Sequence, residues 1–178
     1  MIIKLQQQLK ELIPFIIFQK FNDEIVIIFP TDKLIFGLKF LKNHIGLQFK
    51  MLSCISGVDL LQQNYRFNIS YEILSLVFNS RLRIKIYCDE YFFVPSITEL
   101  YVNANWWERE IWDLYGIYFE NHSDLRRILN DYSFEGYPMR KDFPLSGFNE
   151  FRYDDTKKMI VCEAVQLTQE YRLFNFHL

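Results

Sequence analysis

The chain has 178 residues, half of them apolar, enough for one domain with a sizeable core and an appended segment. Its net charge is -2, with acidic and basic residues mixed along the chain, which excludes the basic face that nucleic acid or an anionic membrane requires. Cys54, Cys88 and Cys162 are far apart and outside any CxxC spacing. Neither an iron–sulfur cluster nor a structural zinc site can be built from them alone, so they are expected to be core or strand thiols of a reducing compartment.

From the N-terminus, Ile2, Leu5, Leu9, Leu12 and Ile13 recur at helical spacing and Pro14 stops them, predicting an amphipathic helix over residues 2–13. The opening MIIKLQQQLKEL has no Arg-rich lead and no small-residue cleavage site, so no targeting peptide is expected; the apolar run Ile13 to Phe18 is too short to span a membrane. Phe15 to Phe29, broken at Asn22 and Asp23, predicts a strand pair with a tight turn. Thr31 or Asp32 then caps a helix carrying Leu34, Leu38 and Leu41, with Gly46 as its terminator. A strand over Leu47 to Ser56 is expected to break at Gly57 to Asp59. Tyr65 to Phe78 and Leu82 to Tyr87 follow as strands around Asn79, Ser80 and Arg81. The simplest assembly is an antiparallel sheet with one solvated face, after which Pro95 turns the chain and Ser96 or Thr98 starts the next helix.

From Asn105 to Tyr115, Trp107, Ile111, Leu114 and Tyr115 form an apolar stripe, and Gly116 supplies a left-handed cap. Glu108, Arg109, Glu110 and Asp113 crowd the same helix. Glu108 and Glu110 point about 200° apart, so they cannot converge on one substrate atom, and an ion pair of Arg109 with Asp113 or a neighbour is the plainer expectation. Arg126 and Arg127 with His122 and Asp124 have the chemistry of a phosphate clamp, but no GxGxxG or P-loop pattern accompanies them. His44, His122 and His177 fall on separate elements and suggest no metal site. Trp106, Trp107 and Trp112 read as core plus interface, since no basic groove goes with them.

After Phe119 periodicity ends, and Gly136-Tyr137-Pro138, Asp142-Phe143-Pro144 and Ser146-Gly147 punctuate the chain. Phe134, Tyr137, Phe143, Phe148 and Phe151 are not expected to bury against one another. Ordering such a stretch costs about 1–2 kcal/mol per residue, which an extended protein interface would offset. Phe151 to Tyr153 and Met159 to Val165, flanking Asp154 to Lys158, predict a hairpin.

The run Glu108-Arg109-Glu110-Ile111-Trp112-Asp113-Leu114-Tyr115-Gly116-Ile117 is followed by Phe119, His122, Asp124-Leu125-Arg126-Arg127-Ile128-Leu129, Asp131-Tyr132 and Arg140-Lys141-Asp142-Phe143-Pro144-Leu145. Together these resemble the signature of the 30-kDa subunit family of respiratory complex I, the proton-pumping NADH:ubiquinone oxidoreductase. The segments Tyr71 to Ser75, Asn79 to Arg83 and Asp89 through Ser96 are similar to those preceding the motif in that family, and the tail from Arg152 to Phe176 resembles its mitochondrial version. Ser123, Ser133 and Tyr137 stand where the family usually has Pro, Gly and His. Ser123 is expected to cap a short helix over Leu125 to Leu129, and no proton-transfer role carries to Tyr137.

The resemblance implies an α+β fold, a small antiparallel or mixed sheet packed with helices and followed by a long extended C-terminal tail. Its domain would span residues 1–119, and residues 120–178 would form a motif loop and tail that dock on partner subunits. It implies a non-catalytic subunit of the peripheral, matrix-side arm at the mitochondrial inner membrane, with the complex I 49-kDa subunit and other peripheral-arm subunits as partners. It implies no cofactor in this chain, FMN, iron–sulfur clusters and ubiquinone being bound by other subunits. The partner-docking residues would be Glu108, Arg109, Glu110, Asp113, His122, Asp124, Arg126, Arg127, Asp131, Arg140, Lys141 and Asp142. The abundance of Phe, Tyr, Ile, Asn and Lys fits an AT-rich organelle genome and a mitochondrion-encoded gene. The alternative is a free soluble enzyme using Glu108, Glu110 and His122 as acid/base groups.

Overall fold

The computed structural model describes residues 9–21, 24–169 and 172. It forms two compact units, Met1–Arg140 and Lys141–Leu178. The division falls at 140/141 rather than 119/120 because residues 120–140 fold onto the first unit through hydrogen bonds to its long helix.

The first unit is an α+β domain. Residues 9–12 are helical, with Leu9 and Ile13 buried; residues 2–8 of the expected helix, Asn22 and Asp23, and Glu170, Tyr171, Phe174, Phe176 and His177 of the tail lie outside the described residues. Strand β1 (Ile17–Phe21) pairs antiparallel with β2 (Glu24–Ile28). A 3-10 turn at Thr31–Lys33 leads into helix α1 (Leu34–Asn43), which buries Leu34, Leu38 and Leu41. Neither Thr31 nor Asp32 caps this helix by its side chain. Gly46 does not end it either: His44 turns extended at the C-cap, and Gly46 N–H then bonds the His44 ring.

Strands β3 (Met51–Asp59), β4 (Phe67–Ser75) and β5 (Ser80–Cys88) form an antiparallel meander, and β5 lies parallel to β2. The sheet order β1-β2-β5-β4-β3 is therefore mixed, not wholly antiparallel. The crossover arises because α1 follows β2 and carries the chain over one face. Ile27, Ile84, Tyr71 and Ile55 align across four strands and are buried. One residue along, Val26, Arg83, Glu72 and Cys54 occupy the opposite face, where Arg83 pairs with Glu72 and Glu24. That alternation is the period of two expected of a sheet with one wetter side. Gly57 does not break β3 but stays in it, because the Tyr115 ring sits where a Cβ would fall, 2.9 Å away.

A two-residue strand β6 (Val94–Pro95) pairs parallel with β7 (Phe119–Glu120), and between them lies helix α2 (Ala104–Tyr115). Ser96 and Thr98 do not start this helix; their hydroxyls bond one another, and the chain from Ile97 turns before Ala104. Tyr101 Oη donates to the Phe49 carbonyl at 2.6 Å and Asn103 Nδ2 to the Leu52 carbonyl at 2.7 Å, fixing the start of α2 against β3. Gly116 ends α2 with φ 76°, as expected.

The second unit holds the expected hairpin, β8 (Asn149–Asp154) with β9 (Met159–Ala164). Arg152 and Glu163 pair across it in a two-point fork at 2.8 and 2.9 Å, and Phe151, Tyr153, Met159 and Ile160 are exposed. Among the described residues no helix is long and apolar enough to cross a membrane.

Candidate functional site

Ala104, Glu108, Ile111 and Tyr115 recur at 4, 3 and 4 residues and make the buried stripe of α2. Glu108 thus occupies a core position, while Trp107 and Leu114, expected in the stripe, flank it half-buried. Arg109 and Asp113 lie one turn apart on a second face, and Trp106 and Glu110 look outward.

The second face receives the loop after β7. Asp113 Oδ2 accepts the consecutive backbone N–H groups of Ile128, Leu129 and Asn130 at 3.2, 2.9 and 2.9 Å. Its Oδ1 accepts Arg127 Nη1 at 2.8 Å and Asn130 Nδ2 at 2.9 Å. Burial pushes this carboxyl's pKa up, but the donors from Asn130, Leu129 and Ile128 outweigh it and hold the group below the usual aspartate value. These amides point at Asp113 instead of carbonyls four residues back, so the expected helix over Leu125 to Leu129 does not form. Ser123 instead accepts from Asn105 Nδ2 at 3.3 Å.

Arg109 does not neutralise Asp113. Its Nε and Nη2 donate to the Arg126 and Arg127 carbonyls at 3.1 and 3.3 Å, and Arg127 is the residue that pairs with Asp113. The Arg127 guanidinium also lies 5.9, 6.0 and 5.7 Å from the ring centres of Trp112, Phe134 and Tyr137. Phe134 and Tyr137 therefore find partners within the chain. Beyond the helix end, Met139 N–H bonds the Leu114 carbonyl and Arg140 Nε the Tyr115 carbonyl at 2.7 Å, satisfying acceptors the helix leaves open. Arg140 stacks 4.7 Å from the Tyr137 ring centre and shares Glu90 with Arg66, which also forks onto Asp59.

Of the remaining expected residues, His122 is brought to Glu108, with Nε2 3.8 Å from Oε2 and neither side chain exposed. Asp124 and Arg126 form an exposed pair at 3.1 Å. Asp131 is exposed and bonds the Tyr132 N–H; Lys141 and Asp142 are exposed in the second unit. Glu110 is half-buried and separate from the Glu108–His122 pair, lining an apolar groove of about 740 Å³ with Val102, Asn103, Trp106, Trp107, Ile128 and Leu129. Val102, Trp106 and Leu129 stand 85%, 69% and 62% exposed at this groove. Sequence reasoning missed Val102 and Leu129 as a surface, although Trp106, off the apolar stripe, signalled an outward aromatic.

The arrangement is a clasp closing on itself. Its one acid/base pair, Glu108 with His122, is sealed from a substrate, while the groove is open and apolar. Among the described residues no group of three or more His, Cys, Asp or Glu side chains is placed to hold a metal.

Residues 27–149 match the model of the family described as respiratory-chain NADH dehydrogenase, 30 Kd subunit. The chain is 56% identical over 147 residues to NADH-ubiquinone oxidoreductase subunit 9 of Reclinomonas americana, covering 83% of this chain and 72% of that protein. It is 50% identical over 146 residues to NADH dehydrogenase (ubiquinone) iron-sulfur protein 3 of Beta trigyna, covering 82% and 76%. Among solved structures it is similar to Nqo5 of the trypsin-resistant fragment (1-134), with a TM-score of 0.61 and 28% identity, covering 68% of this chain and 99% of that one.

Proposed function

Since the chain belongs to the 30-kDa subunit family of respiratory-chain NADH dehydrogenase, we propose that it is a non-catalytic subunit of the peripheral arm of proton-pumping NADH:ubiquinone oxidoreductase. It supports assembly and electron transfer to ubiquinone without itself carrying out the chemistry. Its place is the matrix side of the mitochondrial inner membrane, and its gene is mitochondrial; the mitochondrial location is supported by the name of a Candida albicans relative, NADH dehydrogenase (ubiquinone) iron-sulfur protein 3, mitochondrial.

The observation that carries this reading is the groove beside α2, where Val102, Trp106 and Leu129 present apolar surface next to the single carboxylate of Glu110. Clustered exposed apolar side chains of this kind mark protein interfaces. A helix or strand of the 49-kDa subunit offering an apolar anchor beside a Lys or Arg fits it. Asp124, Arg126 and Asp131, exposed on the loop, form the polar part of this docking surface. Glu108, Arg109, Asp113, Arg127 and Arg140 act through the clasp that shapes it. The second unit, by itself, has the same need of a covering surface: its hairpin exposes Phe151, Tyr153, Met159 and Ile160, and Lys141 and Asp142 add exposed charge.

The chain's own thiols do not fit an iron–sulfur cluster, which needs several converging thiolates. Cys54, Cys88 and Cys162 lie on β3, β5 and β9, and burial pushes the Cys88 thiol up to about 12, which keeps it protonated. We therefore assign FMN, the clusters and ubiquinone to other subunits.

The test is the double substitution Trp106→Asp and Leu129→Asp. The chain is expected to keep its circular dichroism and thermal unfolding but to stop co-purifying with the 49-kDa subunit. Undiminished co-purification would remove the groove as the docking site.

A further inference from the structure

The Glu108 carboxyl is fully buried with no Lys or Arg ion pair among the described residues. Oε2 meets Ser96 Oγ at 2.6 Å and Oε1 accepts the Ile97 N–H at 2.8 Å. The basic group beside it, His122, has both ring nitrogens engaged. Nδ1 accepts the Asp124 N–H at 3.1 Å, so it carries no proton there, and Nε2 faces the Asn105 carbonyl at 3.2 Å, which only an N–H satisfies. These bonds assign a neutral Nε2–H ring that brings Glu108 no charge.

The other groups around Glu108 do not supply one either. Tyr71 on β4, whose buried hydroxyl has no hydrogen-bond partner among the described residues, feels the Glu108 charge, and Cys88 on β5 stands near that phenol. Arg109, next on the helix, is turned to the Arg126 and Arg127 carbonyls, and Asp113 is held by the loop.

Ser96 Oγ can bond Glu108 in either protonation state. With Glu108 protonated, Ser96 Oγ accepts its O–H and the Thr98 N–H while donating to Thr98 Oγ1. With Glu108 ionised, Ser96 donates to the carboxylate and accepts from the Thr98 hydroxyl. Thr98 is half-buried, so the two hydroxyls connect the buried carboxyl to the surface.

We propose that Glu108, His122 and the Ser96–Thr98 hydroxyl pair form a proton-operated latch that sets how firmly the turn at residues 122–124 is held to α2. In the closed state Glu108 is protonated and the His122 ring bridges the Asn105 carbonyl and the Asp124 amide. On opening, the Glu108 O–H bond breaks and its proton leaves through Ser96 and Thr98 to water. The new carboxylate then competes for the His122 Nε2–H, since a hydrogen bond to an ionised acceptor is about twice as strong as one to a neutral carbonyl. Closing the 3.8 Å gap draws the ring from Asn105 and takes Nδ1 away from Asp124. Burial, partly offset by the Ser96 and Ile97 hydrogen bonds, pushes the Glu108 carboxyl up to about 7, which puts the switch near neutrality. The latch belongs to this chain alone and does not depend on which partner fills the groove.

The test uses the full chain labelled with nitrogen-15, following the His122 ring nitrogens and the Asp124 amide between about pH 5.5 and 8.5. The expected result is loss of Asp124 amide protection on the alkaline side in a single-proton step near neutrality, accompanied by a change at the His122 Nε2–H, and loss of that amide step in Glu108→Gln. Ser96→Ala removes a donor to the carboxylate and is expected to move the midpoint upward, which keeps the test valid if Glu108→Gln does not fold. A pH-invariant Asp124 amide, the same step in Glu108→Gln, or an unmoved midpoint in Ser96→Ala would each overturn the latch.

Discussion

Asp113 Oδ1 and Arg127 Nη1 lie 2.8 Å apart and join α2 to a loop that has no regular structure of its own. Fourteen residues separate them along the chain, so the pair closes a loop as well as neutralising a buried charge. Three consecutive backbone amides on the other Asp113 oxygen make it the organising centre of that loop.

Replacing Asp113 by Asn keeps the shape but removes the charge from a fully buried site with five donors around it. Breaking a buried pair from one side costs about 3–5 kcal/mol. Asp113→Asn is expected to lower stability by about that much in urea unfolding and to expose the Arg126–Arg127 bond to trypsin. The folded carboxyl titrates below its unfolded value, so its stabilisation is full above the unfolded pKa and is lost as pH falls below about 4. Stability of the wild type should drop through that window more steeply than that of Asp113→Asn.

Neighbouring arginines should separate cleanly. Arg127 pairs with Asp113 and lies about 6 Å or less from three aromatic ring centres, whereas the Arg126 side chain pairs with the exposed Asp124 and is itself exposed. Arg127→Ala is expected to cost about 2–4 kcal/mol, and Arg126→Ala less than about 0.5 kcal/mol. Thermal unfolding of the two variants side by side decides it; equal losses would contradict the clasp.

Gly116 has φ 76°, and a Cβ there would lie 2.6 Å from the Tyr137 ring and 2.8 Å from Arg140. Gly116→Ala is expected to cost about 1–3 kcal/mol through left-handed strain alone. Adding Tyr137→Ala should relieve the clash with the ring but not the strain, so calorimetry of the double variant should show a smaller loss than the sum of the singles.

For Glu108 the sign is reversed relative to Asp113. Its folded value is raised to about 7, so the folded state binds the proton more tightly than the unfolded one. The contribution is full below about pH 4.5 and is lost as pH rises through about 7, amounting to roughly 3 kcal/mol. Glu108→Gln should therefore unfold with a flatter pH profile and, by calorimetry above neutrality, gain on the wild type.

The strands and the hairpin were legible because their periods are local: Leu82, Ile84 and Ile86 alternate with Arg83 and Lys85, and Asp154 to Lys158 carries its own turn chemistry. The parallel β2–β5 pairing was not, since it depends on residues more than fifty positions apart that carry no mark of one another. The site was legible as a dense run of charges but not in its wiring. Arg109 and Asp113 are four apart and look like partners, yet each prefers loop groups that come from 14 or more residues away. Ser96 and Thr98 looked like caps because a hydroxyl before a helix usually is one; instead a buried glutamate claimed Ser96, and Ser96 holds Thr98.

The parallel seam between β2 and β5 carries a consequence for synthesis. The hairpin β1–β2 leaves the ribosome first, yet its seat beside β5 does not exist until residues 83–85 follow. The meander β3–β4–β5 closes over short turns and can assemble on its own. Until it does, Ile25, Val26 and Ile27, all buried at the end, wait uncovered in the nascent chain. That interval is the one in which a chaperone has something to hold.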